Sequence, residues 1–295
     1  MKELYGILKG VSRSFYLSMR FLPVRMREPI GLGYLLARAS DTLADAEDVE
    51  AEMKREALTL FRERDLGGLR KLVKSEFAIE GMKEKEWLLL QEIGNVMRLS
   101  DKLDEHCKSE VEKVINTISL GQLEDVERFE INGGKIDSDD ELLDYCYKVA
   151  GCVGEFWSEI GVYCDPGFSN RSLEELRVLG KELGVGLQLV NVLRDAPKDL
   201  EQGRVYIPGM DTLSLPLAAP WIEHARGCAY EGIKYSDSLS SRMQRMATYL
   251  PAALAVETLD LLATASEKQW KNGVKVPRIM VYRELLSGLL RPQLF

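Results

Sequence analysis

The chain is 295 residues long, 45% hydrophobic and 29% charged, with 47 acidic against 39 basic residues for a net charge of −8. That length admits one large domain or two small ones with a sizeable core, and the acidic balance excludes a general basic field for nucleic-acid phosphates. The cysteines Cys107, Cys146, Cys152, Cys164 and Cys228 include no Cys-x-x-Cys pair, and the histidines are only His106 and His224, which disfavours disulfide, zinc and histidine-rich metal sites and leaves a reducing, cytoplasmic setting and hard cations with oxygen ligands.

In chain order, Met1-Lys2-Glu3-Leu4-Tyr5 lacks the basic and apolar regions of a secretory signal. No run of about 18 or more apolar residues follows, so no spanning helix or transmembrane anchor is expected. Apolar residues recur at three- and four-residue spacing near 30–47, 50–64, 79–131, 138–163, 171–200, 217–240 and 243–270, which predicts helices, and strand alternation is essentially absent. Breakers fall between them at Pro23, Asn132-Gly133-Gly134, Asp165-Pro166-Gly167, Gly203 and Pro208-Gly209. With no linker and no repeat, the expectation is one all-α domain over residues 1–295.

Three helical stripes carry chemistry. At about 100° per residue, Tyr34, Arg38, Asp41, Asp45 and Asp48 share roughly a quarter of the first helix's circumference. Asp41 and Asp45, one turn apart, repel, so an inward-facing pair needs a cation, Arg38 or a divalent metal, whereas an outward-facing pair is a solvated acidic face. In LGVGLQLVNVLRDAPKDLEQGRVYIP, Gln188, Asn191, Asp195 and Asp199 stand at i, i+3, i+7 and i+11, opposite an apolar stripe of Leu176, Leu179, Leu183, Leu187, Val190 and Leu193. Magnesium usually takes one or two carboxylates plus phosphates and waters, which two Asp-x-x-x-Asp helices supply. Pro197 within the second motif is expected to kink or end that helix, moving Asp199 off the line. In ELLDYCYKVAGCVGEFWSEIG, Tyr147, Gly151, Gly154 and Ser158 align on one face, which implies either close helix packing or room for a ligand beside a tyrosine.

These blocks, SRSFYLSMRFLP at 12–23, YLLARASDTLAD at 34–45, YCYKVAGCVG at 145–154 and LQLVNVLRDAPKDLEQGRVYIP at 187–208, together resemble the squalene and phytoene synthase family in order and spacing. The resemblance implies an isoprenoid-synthase type bundle around a central cavity. It implies that Asp41, Asp45, Asn191, Asp195 and Asp199 hold Mg2+, and that Arg38, Arg194, Arg204, Ser12 and Ser14 contact diphosphate, with Gln188 and Gly151 as further substrate contacts. Tyr34 and Tyr147 would stand near the developing carbocation. Relatives usually carry an acidic residue just before the last aspartate, where this chain has Lys198; its charge would weaken metal binding or touch phosphate if it faced the site, whereas its place roughly 100° from Asp199 on the helix favours a solvent-facing lysine. The implied reaction joins two prenyl diphosphates head to head, through presqualene diphosphate when both are farnesyl. The RASDTLAD block leans to squalene, for which NADPH would be the hydride donor, bound on a helical surface because no Gly-x-Gly-x-x-Gly follows a strand; phytoene, dehydrosqualene and hydroxysqualene are the alternatives on the same scaffold.

Two other classes are open: a family member that has lost catalysis and serves assembly, whose acidic motifs would be expected to decay, and a terpene cyclase acting on one diphosphate, which leaves the YCYKVAG block unexplained. Toward the C-terminus, YLPAALAVETLDLLATA at 249–265 reads as bundle core, and Lys271, Lys275, Arg278 and Arg283 form a basic cluster read as a solvated face. The oily product implies peripheral membrane contact without an encoded anchor.

Overall fold

The structure, a computed structural model, describes residues 22–46, 48–77 and 82–291 together with Gly6 and Leu8. Ser12 and Ser14 lie outside the described residues. Among the described residues the chain is helical throughout, with one isolated bridge between Ser169 and Leu239 and no strand. It packs as two compact units, Met1–Gly133 and Gly134–Phe295. The division falls at the Asn132-Gly133-Gly134 breaker, where Gly133 adopts φ 60°.

The first unit contains α1 (Val24–Ala44), α2 (Ala51–Arg62), α3 (Leu66–Glu76), α4 (Glu84–Ser100) and α5 (Glu105–Asp125), followed by a π turn over Val126–Ile131. Helix α1 packs against α4 and α5 and buries Leu32, Leu35, Ala39 and Leu43 completely. What it leaves half-buried after Leu32 is Tyr34, Ala37, Arg38 and Asp41, so three members of the expected stripe share one side of α1, whereas Asp45 and Asp48 lie past the helix end at Ala44 and leave the line that regular helical spacing gave them. Helix α3 was not anticipated by periodicity, because it is short and opens with two glycines. It starts because the Asp65 carboxylate accepts from Gly67 N at 3.1 Å and Gly68 N at 3.0 Å, which satisfies amides that a helix start leaves unpaired. The single helix expected over 79–131 is broken at Asp101–Asp104, where Asp104 caps α5 by accepting from Cys107 N at 3.1 Å. Lys54, 5% exposed, meets Glu130 at 2.7 Å and ties α2 to the π turn.

The second unit contains α6 (Asp139–Cys146), a π turn over Tyr147–Gly151, α7 (Cys152–Cys164), α8 (Leu173–Glu201), α9 (Leu215–Ser238), α10 (Arg242–Thr264), α11 (Glu267–Lys271) and α12 (Arg278–Leu290). Helix α8 organises it. It opens on a capping box between Ser172 and Glu175, which pairs two amides reciprocally. Its 29 residues run about 43 Å and pack against α7, α9 and α10. Leu176, Leu179, Leu183, Val190 and Leu193 of the predicted apolar stripe are buried, and Leu187 lines a cavity.

Pro197 does not end α8, which continues to Glu201, so Asp199 stays on the helix that carries Asp195. A proline removes one intrahelical bond, and here the carbonyl it deprives finds a donor outside the helix.

Helix α10 is, among the described residues, long and apolar enough to cross a membrane, and 44% of its most apolar window is buried within the fold. It packs against α9 and α12, as expected for the 249–265 segment as core. The sequence offers only a basic cluster where helix α12 forms. That helix packs on α10 through Gly288, whose Cα lies so close to Met246 and Tyr249 that a methyl there would fall 2.5 Å from Met246 Sδ.

Candidate active site

In the first unit the acidic motif sits where α1 ends. Asp41 is on the last turn, and Asp45 caps the helix, its amide donating to the Asp41 carbonyl at 2.8 Å. Arg38 reaches back along the same face, 2.7 Å from Glu86 of α4 and 3.9 Å from Asp41. Gln122 of α5 donates to the Asp41 carboxylate while accepting from the buried Ser40 hydroxyl. Sequence reasoning missed Glu86 and Gln122. Neither lies within a helical turn of the motif, so no local spacing announces them.

Burial raises the Asp41 carboxyl to about 6; neighbouring Asp45 adds to this, and Arg38 and Gln122 oppose it. Yet 40% of its side chain remains open to solvent. A carboxylate desolvated by its surroundings and crowded by a second one, but still reachable, is a place where a cation gains by binding.

In the second unit α8 presents Gln188, Asn191, Asp195 and Asp199 along one side. Arg194 grips Asp195 with two bonds, Nε to Oδ1 at 2.9 Å and Nη2 to Oδ2 at 2.5 Å. Burial and then the Asp195 charge raise the Asp199 carboxyl to about 6, against Arg204, Lys198 and Arg194. Lys198 is exposed, as its solvated reading expects.

The helix closes in a Schellman arrangement. Gly203 at φ 76° donates to the Leu200 carbonyl at 3.1 Å, and Arg204 N donates to the Asp199 carbonyl at 2.8 Å. The breaker glycine thereby brings Arg204 beside the last aspartate. A residue with a side chain would be strained at that φ.

The tyrosines divide differently from the sequence expectation. The Tyr147 hydroxyl donates to Glu155 at 2.9 Å, and burial, then that bond, push it up to about 12. The adjacent tyrosine, Tyr145, is the one that joins the oxygen-rich side of α8. Its hydroxyl accepts from Gln188 Nε2 at 3.3 Å, and Gln188 Oε1 accepts from Asn191 at 3.3 Å. Its ring lies 5.1 Å from that of the buried Tyr206. The π turn beginning at Tyr147 makes the register hard to read, since regular helical spacing does not hold across it.

The glycine stripe resolves chiefly to close packing. A methyl at Gly154 would lie 1.8 Å from the Gly180 carbonyl oxygen, one at Gly184 2.3 Å from the Ala150 oxygen, and one at Gly151 3.0 Å from both Val185 and Tyr147. Gly151 therefore seats the π turn on α8. Beside this crossing lies an apolar cavity of roughly 280 Å3, lined among others by Val153, Trp157, Leu183, Leu187 and Tyr235. Tyr235, part of its lining, shares a buried hydroxyl–hydroxyl bond of 2.9 Å with Ser158. Ligand pockets generally measure about 300–1,000 Å3, so this one suits a single slender apolar chain.

Among the described residues no group of three or more His, Cys, Asp or Glu side chains converges on one point. Each motif instead offers two carboxylates with amide or guanidinium neighbours. Such a donor set fits a magnesium ion that keeps waters and shares a substrate's phosphates rather than one enclosed by protein.

The squalene synthase of Yarrowia lipolytica is 25% identical over 289 residues, 92% of this chain and 63% of that protein. The bifunctional lycopene cyclase/phytoene synthase of Phycomyces blakesleeanus is 28% identical over 207 residues, 69% of this chain and 32% of that protein. The chain thus spans less than two thirds of the length of either relative. Among solved structures, TcSQS with the ligand E5700 superposes with a TM-score of 0.77 at 22% identity, covering 98% of this chain and 85% of that one. A dehydrosqualene synthase with bound ligand gives 0.60 at 21% identity, covering 97% and 94%. The fold is therefore the all-α isoprenoid-synthase type. The squalene/phytoene synthase family profile matches residues 8–280, and the chain belongs to that family.

Proposed function

We propose that the protein is a magnesium-dependent prenyl transferase that joins two allylic diphosphates head to head, with farnesyl diphosphate as substrate and squalene as product. The observation that carries this reading is the pair of Asp-x-x-x-Asp motifs, each with a carboxyl raised to about 6 and each flanked by arginine. Magnesium at these carboxylates would supply electrophilic assistance to departure of diphosphate. Arg38, Arg194 and Arg204 bind and orient the phosphates. Loss of one diphosphate gives an allylic cation, the second substrate's double bond attacks it, and a proton leaves to give presqualene diphosphate. Tyr145, held by Gln188, and Tyr34 offer oxygen and ring faces to the cation. The cavity beside Gly154 shelters an isoprenoid tail from water.

Squalene requires hydride delivery after the second ionisation. No strand and Gly-rich turn of the dinucleotide-binding kind occurs among the described residues, so NADPH, which would supply that hydride, would have to bind a helical surface. Product extraction after incubation with farnesyl diphosphate and Mg2+, with and without NADPH, tests the reading. Squalene formed only with NADPH supports it, whereas dehydrosqualene or hydroxysqualene replaces the final step.

Metal binding carries a pH signature. Asp41 and Asp199 hold protons in the fold up to about 6 and in the unfolded chain only to about 4. Without metal, native stability falls as pH rises through that window. Divalent metal requires the ionised forms, so its affinity rises over the same window. The thermal shift produced by Mg2+ should be larger at pH 7.5 than at pH 5.0; an equal shift at both contradicts the assignment.

The protein also works at a membrane surface on this reading. The outer face of α12 exposes Ile279 at 74%, Tyr282 at 61%, Leu286 at 62% and Leu290 at 80%. Residues 266–291 carry Lys268, Lys271, Lys275, Arg278, Arg283 and Arg291 against Glu267 and Glu284, opposite in sign to the whole chain. An apolar helix face in a basic setting fits an anionic lipid surface. The protein should sediment with vesicles containing phosphatidylserine. I279D/L286D should reduce that binding at least about tenfold, and unchanged sedimentation of the double variant contradicts the docking face.

A further inference from the structure

Pro197 has no amide hydrogen, so the carbonyl four residues earlier, that of Leu193, lacks its regular helical donor. The indole Nε1 of Trp270 donates to that oxygen at 2.7 Å in a buried bond. Trp270 is 1% exposed and belongs to the single-turn helix α11. That helix is fixed by a capping box, with Ser266 N donating to Gln269 Oε1 at 2.8 Å and Gln269 N to Ser266 Oγ at 3.3 Å. It is turned at its end by Gly273, at φ 87°. Nothing in the sequence links α11 to the aspartate motif: the bond spans 77 residues.

We propose that Trp270 is a positioning residue for the second aspartate motif, acting through the Leu193 carbonyl that Pro197 leaves without its helical donor. The carbonyl of Leu193 and the amide of Arg194 belong to one planar peptide unit, so the indole bond fixes the plane from which Arg194 and Asp195 follow. Arg194 in turn holds both oxygens of Asp195. Outer partners that orient a metal's ligands behave in this way. The inference rests on Asp195 and Asp199 being metal ligands.

The test is a double-mutant cycle read by Mn2+ binding in the presence of inorganic pyrophosphate, with free Mn2+ followed by electron paramagnetic resonance. W270F keeps an aromatic ring and removes the donor together with part of the indole's buried bulk, and the cycle separates the two. The substitution should weaken Mn2+ binding about tenfold in a protein that still melts cooperatively. P197A restores the amide hydrogen, so in the P197A background W270F should cost less than about twofold, as expected when one donor replaces another. Mn2+ binding by W270F equal to the parent's overturns the proposal, and so does an equal loss in both backgrounds, which would assign the effect to indole packing. Failure of the parent to take up Mn2+ overturns the metal reading and the positioning role with it, whereas either of the other two failures leaves the metal reading standing.

Discussion

Asp41→Asn and Asp195→Asn should each lower kcat/KM for farnesyl diphosphate by roughly 10²–10³-fold, the range seen when one electrostatic contact to a developing charge is removed. Each replacement keeps shape and removes a negative charge from a carboxylate pair. The two differ in their effect on the fold. Asp41 is a carboxyl that burial and Asp45 hold at about 6, so at neutral pH the asparagine relieves a cost, and the melting temperature of Asp41→Asn without metal should stay level or rise. Asp195 is held by both arms of Arg194, so its replacement frees that guanidinium and should lower the melting temperature modestly. Activity within about threefold of the parent in either variant removes that aspartate from the metal set.

Gly154→Ala should be the most damaging small substitution in the second unit. The added methyl would stand 1.8 Å from the Gly180 carbonyl oxygen and 2.2 Å from its carbon. These are backbone atoms of the long helix α8, with no flexible side chain to swing aside. Relief requires α7 and α8 to separate, which opens the crossing and distorts the wall of the neighbouring cavity. Overpacking commonly costs about 1–3 kcal/mol and more when backbone must move, so a loss of about 3 kcal/mol or more is expected, with a melting temperature lower by roughly 10 °C. Gly227→Ala, where a methyl meets nothing within 4 Å, is the control and should change little. Equal melting of the two variants would refute the close crossing.

Much of this was legible in the sequence because it is local. Three- and four-residue spacing places Tyr34, Arg38 and Asp41 on one side of α1, and Gln188, Asn191, Asp195 and Asp199 on one side of α8, and the structure keeps both lines. The glycine stripe was legible as a choice between packing and a groove, and the structure shows a tight crossing with a cavity next to it. What could not be read depends on distant residues. Gln122 on Asp41, Glu86 on Arg38 and Trp270 on Leu193 are separated by 81, 48 and 77 residues, with no pattern to pair them. Local geometry failed at two points. The π turn over Tyr147–Gly151 breaks the spacing that drew attention to Tyr147 and leaves Tyr145 on Gln188. Pro197 signals a stop that α8 does not make, because the deprived carbonyl is satisfied from α11. Helix α3 escaped notice because its start is set by the Asp65 cap rather than by periodicity.

The most direct test of the central claim is product identification by mass spectrometry after incubating the purified protein with farnesyl diphosphate and Mg2+, beside the same reaction with chelator. A head-to-head prenyl transferase gives a thirty-carbon product or presqualene diphosphate, formed with Mg2+ and absent with chelator. A fifteen-carbon product, or the same thirty-carbon product in the presence of chelator, would contradict the claim.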